Sequence, residues 1–441
     1  MSGGGGRGPD FEIRIADWLD AAAAQKRILD QCSPLEPERI PLAEALGRAL
    51  AEDVVADATL PPWDNAGMDG DAVRGDDVAG ASPSSPVVLL VKGLVRAGDP
   101  PADPVAPGEA VRIMTGAPVP PGADSVVRVE DTDAEAEPGR VRVLRDRDVS
   151  GNVRPGGQDA RPGDLVLARG QAIHPGAVGV LAAMGRSHVF AGGRPTVAVL
   201  TTGDELRSPE AYDDVRAGAG VPESNGPMLA AAVAAAGGIP RLSGIVPDDQ
   251  RALARAVAAA TDADVLVTVG GASMGEADLV KRVLDQAGFR LDFWRVRMRP
   301  GSPFSFGWLP TERGSQPVFG LPGNPSSAFV TFEVFVRPFL LRLAGHERIH
   351  RRALRCVAGE ELVGTKRTLF VRVRLEASRE FPTAWLAGPQ GSGLVRGLSA
   401  AEGLAVVPAG ASVAAGEPVT VLLLDPGPAS SASSPLEAPG T

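Results

Sequence analysis

Apolar positions follow three different patterns along the chain, and each predicts a different kind of structure. In "IADWLDAAAAQKRILDQC" (15–32), Ile15, Trp18, Leu19, Ala22, Ile28 and Leu29 fall near one face of a helix. "RIPLAEALGRALAEDVVA" (39–56) predicts a second short helix with Gly47 inside it. From about 60 to 156 the texture changes to short apolar runs, "VVLLVKGLV", "GEAVRIMTG" and "SVVRVED", separated by clusters of Pro, Gly and Asp. That is the pattern of an all-β module with long turns. Residues 157–192 return to strand and helix, and "RPGDLVLARGQAI" reads as a hairpin with Gly163 and Gly170 at its turns.

From Arg194 the alternation becomes regular. "TVAVL", "IPRLSGIV", "DVLVTV", "FWRVRM" and "QPVFGL" read as strands. Between and after them "SNGPMLAAAVAAAGG", "DDQRALARAVAAATD", "EADLVKRVLDQAG" and "NPSSAFVTFEVFVRPFLLRLAG" read as helices. Such alternation implies a mostly parallel, doubly wound sheet. Ser224 or Asn225 can cap the first of these helices, and Gly237 follows its end. After Gly345, "RALRCVAGEEL", "TLFVRVRLE", "TAWLAGPQ" and "LAVVPAGASVAAGEPVTVLLL" predict a second all-β module ending near Asp425.

Composition narrows the function. The length of 441 residues suggests about three domains. No apolar run approaches the roughly 20 residues that cross a bilayer, so no membrane insertion is expected. The net charge of −10 comes without a Lys/Arg-rich stripe, and aromatics make up only 4 %, which argues against nucleic-acid binding. Cys32 and Cys356 are too few for a disulfide framework or a zinc site of their own, so a reducing cytoplasm is expected. The first nine residues read as a flexible leader, and 426–441, rich in Pro, Ser and Ala, as a disordered tail.

Chemistry is expected at the carboxyl ends of the strands, where open α/β sheets bind ligands. Four polar loops fall there: "TTGDEL" (201–206), "VPDD" (246–249), "GGASMGEAD" (270–278) and "GLPGNPSSA" (320–328). Glycine lets backbone N–H groups approach an anion, and a following helix directs its positive end at the same point. Thr202, Gly203, Gly270, Gly271, Ser273, Gly275, Gly323 and Asn324 are therefore candidates for binding a phosphorylated substrate, the last two in a loop that also holds Pro322 and Pro325. Glu205, Asp248 or Asp249, and Asp278 could bring carboxylates to the same place. Carboxylates beside phosphate make sense if Mg²⁺ lies between them, which makes these four the candidate metal ligands.

Two short motifs compete with that view. "GGASMG" contains G-x-S-x-G between a strand and a helix, the pattern of a hydrolase nucleophile elbow at Ser273. Its base would have to be His346 or His350, both in the basic stretch "GHERIHRR", and no HGGG-type motif precedes the serine. "HERIH" itself matches H-E-x-x-H, but it follows the helix end at Gly345 and has no obvious third ligand. A glycine turn at an anion site and a basic connection between domains are the better accounts.

Taken together, the segments resemble the MoeA/gephyrin E-domain family, the molybdopterin molybdenumtransferases. The matching stretches are "LPPWDNAGMDGDAV", "RIMTGAPVPPGADSVV", "NVRPGGQDARPGD", "VAVLTTGDEL", "SNGPML", "GGASMGEADLVKRVL", "RPGSPFSFG" and "VFGLPGNPSSAFVTFEVFVRPFL", in the family's order across about 10–425. The resemblance implies a homodimer of four-domain subunits. A discontinuous α+β domain (10–56 plus 157–193) carries an inserted β-domain (57–156), followed by a central MogA-like doubly wound α/β domain (194–345) and a C-terminal β-barrel (346–425). It implies a cleft between the α/β domain of one subunit and the inserted domain of the other.

The implied reaction takes adenylylated molybdopterin and molybdate, with Mg²⁺, to molybdenum cofactor and AMP, with a MogA-like adenylyltransferase as the supplying partner. On this resemblance Asp69, Thr115, Glu205 and Asp278 are catalytic. Asp159, Arg295, Arg299 and Ser302 join the substrate-binding residues, with Arg295 and Arg299 where the family usually has lysines. Three positions depart from the family pattern: Asp71 replaces a tyrosine, Gln158 a glutamate, and Ser302 a lysine. An added carboxylate and a lost cation should weaken anion binding. A gephyrin-like scaffold that binds a peptide near the C-terminal domain, or an enzyme for another nucleotide-linked substrate, remain as alternatives.

Overall fold

The computed structural model describes residues 18–100, 102–270, 279–378 and 380–424. The expected leader, the tail beyond 425 and Ile15 lie outside them, as do Gly271, Ser273, Gly275 and Asp278. The described chain forms two compact units. The smaller comprises Glu52–Arg169 and Pro175–Ser187; the larger takes the residues up to Ala51, Gly170–His174, and those from His188 onward.

The larger unit is built on a six-stranded sheet in the order Ile239–Val246, Thr196–Thr202, Val265–Val269, Gly314–Leu321, Ser305–Thr311, Arg290–Trp294. The first four strands pair in parallel and the last two pairings are antiparallel, so Ser305–Thr311 alone runs against the rest. Strands such as "VLVTV" are buried on both faces, so their runs are continuously apolar. One face packs Leu229 and Val233 of helix Asn225–Ala235 together with Phe332, Phe335 and Phe339. Helices Gln250–Ala259 and Leu279–Gln286 cover the other through Leu253, Val257, Val280, Val283 and Leu284. The doubly wound sheet is therefore present.

The helix predicted over 324–345 runs as Pro325–Thr331, a π-helical segment Phe332–Val336, and Arg337–Leu343. Gln25, on the N-terminal helix Ala21–Leu29, donates through Nε2 to the Val334 carbonyl at 2.6 Å. Five further strands, Ala353–Ala358, Thr368–Glu376, Thr383–Leu386, Gly403–Val407 and Pro418–Leu423, pair into a closed barrel. Met298–Arg299 pairs in parallel with Thr368–Leu369, tying the barrel to the α/β part.

The smaller unit holds a five-stranded sheet in the order Ser125–Arg128, Gly70–Val73, Glu109–Ile113, Val87–Val95, Arg140–Val143, as the short apolar runs predict. Gly70 allows its strand to pack closely, since a Cβ there would overlap the Val127 carbonyl.

Four expectations about elements are corrected. Residues 39–56 are not a helix: they form strand Glu38–Pro41, one 3₁₀ turn at Leu42–Glu44, and strand Val54–Val55, with Gly47 at φ 78°. Their partners, His188–Ala191 and Leu165–Leu167, lie more than a hundred residues away, so local apolar spacing could not reveal them. The hairpin over 161–173 does not form, because Leu165–Leu167 pairs with Val54–Val55 and Ala172 with Ala49. Gly163 and Gly170 do occupy turns at positive φ. "FWRVRM" is two strands in two sheets, broken at Arg295, whose φ is 68°. Finally, Ser305–Thr311 is a strand that the sequence pattern missed.

Candidate active site

The loops at 201–206, 246–249 and 320–328 and the residue Gly270 meet at the carboxyl end of the parallel strands. Strand Thr196–Thr202 ends in two buried threonines, and Thr202 Oγ1 donates to Asp248 Oδ1 at 2.6 Å. Asp248 N–H in turn donates to Asp204 Oδ1 at 3.1 Å, so the first two loops are clasped together. Gly270, at φ 85°, sits so close to Thr202 that a Cβ would lie 3.1 Å from its carbonyl oxygen. A Cβ on Gly323 would lie 3.7 Å from the Gly270 Cα, which brings the 320–328 loop to Gly270. The positive φ and the tight approach at Gly270 suit glycine, whereas the contact at Gly323 is an ordinary van der Waals one.

Asn225, at the start of helix Asn225–Ala235, closes this end of the sheet. Its Nδ2 donates to the Gly323 carbonyl at 2.7 Å, while its buried Oδ1 has no partner among the described residues. Ser224 stands at the N-cap position as expected but its side chain makes no capping bond; the buried Glu223 carboxylate instead accepts from Asn225 N–H at 2.9 Å and Gly226 N–H at 3.0 Å. A buried oxygen without a donor is costly, which sets Asn225 apart among the polar groups at this end of the sheet.

Among the candidate carboxylates, Glu205 is exposed and folds back toward Gly203, where a Cβ would lie 2.7 Å from its Oε2. Asp249 caps helix Gln250–Ala259 by accepting from Ala252 N–H at 2.8 Å. Asp248 is therefore the member of that pair joined to the strand ends. Pro322 is buried, and Gly323 and Asn324 are exposed ahead of Pro325. The Asn324 side chain makes no capping bond.

A second group is cationic. Arg372, on barrel strand Thr368–Glu376, is 2 % exposed. Its guanidinium donates to Ser326 Oγ, to the Pro389 carbonyl at 2.8 Å and to the Leu394 and Gly391 carbonyls at 3.3 Å, while Nε is buried and unpartnered. Burial lowers its pKa, and no carboxylate pairs with it among the described residues. Arg295 stacks on the Trp294 ring at 3.9 Å and faces the Trp18 ring at 5.0 Å. Arg367 approaches Trp18 at 5.5 Å and donates to Ser302 Oγ at 3.1 Å. Ser302 is 8 % exposed and donates onward to the Met298 carbonyl at 2.5 Å. Arg299 lines a cavity of about 220 Å³ together with Glu361, Thr365, Arg372 and Gln390.

In the smaller unit, Asp69 Oδ1 accepts from both Thr115 N–H and Thr115 Oγ1 at 2.7 Å. These bonds hold its carboxyl below the ordinary range, with a lesser contribution from the charge of Arg112. Asp159 is exposed beside Leu60, to whose carbonyl its N–H donates at 2.9 Å. Gln158 is likewise exposed.

Comparison with known proteins gives these groups a setting. Residues 19–185 match the MoeA N-terminal region (domain I and II), 198–342 a probable molybdopterin binding domain, and 358–424 the MoeA C-terminal region (domain IV). Molybdopterin molybdenumtransferase 2 of Mycobacterium tuberculosis (strain ATCC 25618 / H37Rv) is 36 % identical over 393 residues, 87 % of this chain and 94 % of that protein. The chain belongs to the MoeA family. The molybdopterin molybdenumtransferase of Synechococcus elongatus is 35 % identical over 412 residues, 91 % of this chain and 99 % of that one. The molybdopterin biosynthesis moeA protein of Pyrococcus horikoshii OT3 superposes with a TM-score of 0.78 at 27 % identity, covering 92 % of this chain and all of that one.

Within this MoeA-family chain, Thr202, Gly203, Asp248, Gly270 and Gly323 come together as the sequence suggests, while Asp69 and Thr115 pair within the other unit. Three contributors escaped the sequence reading. Asn225 was weighed only as a cap, and Glu223 lies one residue before the segment that drew attention. Arg372 sits in the alternating run "VRVRLE", where an arginine reads as solvent-facing. Arg367 reaches the Ser302 hydroxyl from the barrel side.

Proposed function

We propose that this protein is a molybdopterin molybdenumtransferase, inserting molybdate into adenylylated molybdopterin and releasing AMP in molybdenum cofactor biosynthesis. The convergence of Thr202, Asp248, Gly270 and Gly323 around the unpartnered Asn225 Oδ1 carries the proposal. In an open sheet that end takes the ligand, and bare glycine backbone there suits a phosphate. Thr202 fixes one oxygen of Asp248 and leaves the other for the substrate side. Arg372, a buried cation without a counterion among the described residues, suits a tetrahedral oxyanion such as molybdate, since the anion would offset the charge. Within the smaller unit, Asp69 is held ionised by Thr115 as a fixed carboxylate for substrate.

Mg²⁺ fits these residues as an ion shared with substrate. No three His, Cys, Asp or Glu side chains form a metal cage among the described residues. Mg²⁺ commonly takes one or two carboxylates plus substrate phosphates and water, so Asp248 and Glu205 suffice on the protein side. When bound it would offset phosphate charge and polarise the phosphoanhydride. The functional unit in this proposal is a cytoplasmic homodimer supplied by a MogA-like adenylyltransferase. Among the described residues no helix is long and apolar enough to cross a membrane.

The deciding experiment incubates the protein with adenylylated molybdopterin, molybdate and Mg²⁺ and follows AMP. Release is expected, is lost on chelation, and falls on the order of 10²-fold or more in Asp248→Ala, the scale for removing one preorganised polar group. Absence of AMP with the native chain, or full turnover in Asp248→Ala, would overturn the proposal. Sedimentation of a monomer at micromolar concentration would remove the dimer.

A further inference from the structure

Asp71 is the most deeply buried carboxylate of the smaller unit, and the site described above gives it no task. It lies on strand Gly70–Val73, between Arg112 on one neighbouring strand and Val127 on the other. The residue is 0 % exposed. Arg112 Nη1 donates to its Oδ2 at 3.1 Å, and its Oδ1 is buried without a partner. Two further carboxylates face it from the loop after the neighbouring 3₁₀ turn, Asp133 and Glu135. Both are engaged elsewhere: Asp133 accepts from Arg142 N–H at 2.9 Å and pairs with the Arg142 guanidinium at 3.7 Å, and Glu135 accepts from Gly139 N–H at 2.9 Å. Among the described residues Arg112 is thus the cation that pairs with Asp71.

The same guanidinium acts on Asp69. Asp69 stands two residues before Asp71, and Thr115 three residues after Arg112, at the ends of the same two paired strands. The two Thr115 hydrogen bonds do most to hold the Asp69 carboxyl down and the charge of Arg112 adds to them, while the Arg112 hydrogen bond goes to Asp71. Two carboxylates therefore compete for one arginine, and the buried one has it. We propose that Asp71 is a positioning residue that draws Arg112 away from Asp69, leaving the Asp69–Thr115 pair free to act on substrate. This rests on the role given to Asp69 and Thr115 above.

The competition depends on the charge of Asp71. Burial, opposed in part by Arg112 and reinforced by Glu135 and Asp133, pushes its pKa up to about 6. Above that pH the carboxylate is charged and retains Arg112. Below it Asp71 is neutral, and Arg112 is released toward the still ionised Asp69.

Three proteins test this: the native chain, Asp71→Asn, and Asp71→Asn with Arg112→Gln. The native kcat should fall as the pH drops from 7 to 5. Asp71→Asn should show a kcat lower by roughly tenfold at pH 7.5, the equivalent of one unit of differential interaction, with no further fall toward pH 5. Removing Arg112 as well should restore kcat without restoring the pH dependence. A profile in Asp71→Asn that matches the native one, or no recovery in the double variant, overturns the proposal.

A second measurement does not need turnover. In protein carrying ¹³C-carboxyl aspartate, assigned through Asp71→Asn and Asp69→Asn, Asp71 should titrate near 6, and Asp71→Asn should move the Asp69 signal. An unmoved Asp69 overturns the positioning role even if AMP is released. A native chain that releases no AMP but shows both signals would sink the functional proposal and leave the competition for Arg112 standing.

Discussion

At the scale of single residues, the contact made by Ser302 tests the proposed function. The resemblance suggests that serine at 302 costs a cation. The structure places the Arg367 guanidinium 3.1 Å from Ser302 Oγ and against Trp18, which also carries Arg295. A guanidinium offers fixed, planar donors where an ammonium offers a compact charge, so the replacement favours a bidentate oxyanion contact. Arg367→Gln should therefore raise KM for molybdate about tenfold, near 1.4 kcal/mol, with little change in kcat. Adding Ser302→Lys to that variant should recover most of the loss. Unchanged molybdate dependence in Arg367→Gln would show that the hydrogen bond is merely structural. Nothing in the sequence could predict this pairing, because residues 302 and 367 are joined only by the fold. The glycines and acids of the strand-end loops were legible, because the strands that present them follow from the sequence and the ligand end of such a sheet is fixed.

Elements were legible where the period of apolar residues coincided with how each segment is covered. Helix Gln250–Ala259 is covered on one side and shows it, through Leu253 and Val257. Residues 39–56 misled because their burial at Ile40, Ala45, Ala49, Leu50 and Val54 mimics helical spacing, although it arises from pairing with distant segments. The π-helical segment left no sequence signal either. It is stabilised by Gln25 from another helix and by the buried Glu333, which pairs bidentately with Arg351 at 2.8 and 3.1 Å. Asp249 gives a test at this level, since its position after a strand suggested a metal ligand whereas its bond to Ala252 N–H makes it a cap. Asp249→Ala should cost about 1 kcal/mol of stability, read from urea unfolding, and Asp249→Ser should recover most of it. Turnover should follow position 248 rather than 249. A stable Asp249→Ala protein that has lost AMP release would return Asp249 to the metal site.

The larger unit joins its α/β part and its barrel through a shared core, which no segment-by-segment pattern discloses. One apolar cluster runs from Phe319, Phe335 and Phe339 to Phe370, Leu404 and Leu424 of the barrel. Strand Met298–Arg299 pairs with Thr368–Leu369 across the same junction, and Arg372 binds Ser326 at the start of the long helix. A barrel held only by a linker would melt by itself, whereas one that shares its core should unfold with the sheet. Trp308, edge-on to Phe306 at 5.7 Å, reports on the sheet. Trp385, whose Nε1 donates to Glu376 Oε2 at 2.8 Å, reports on the barrel. In protein labelled with 5-fluorotryptophan, the ¹⁹F signals of the two residues should lose intensity at the same urea concentration. If Trp385 reaches its unfolded shift while Trp308 keeps its native one, the shared core is not a cooperative unit. Arg372 would then be held near the Ser326 helix start by a separable module, and molybdate should raise the barrel's midpoint alone. With one core, molybdate should raise both midpoints together, because any ligand bound by Arg372 stabilises everything that unfolds with it.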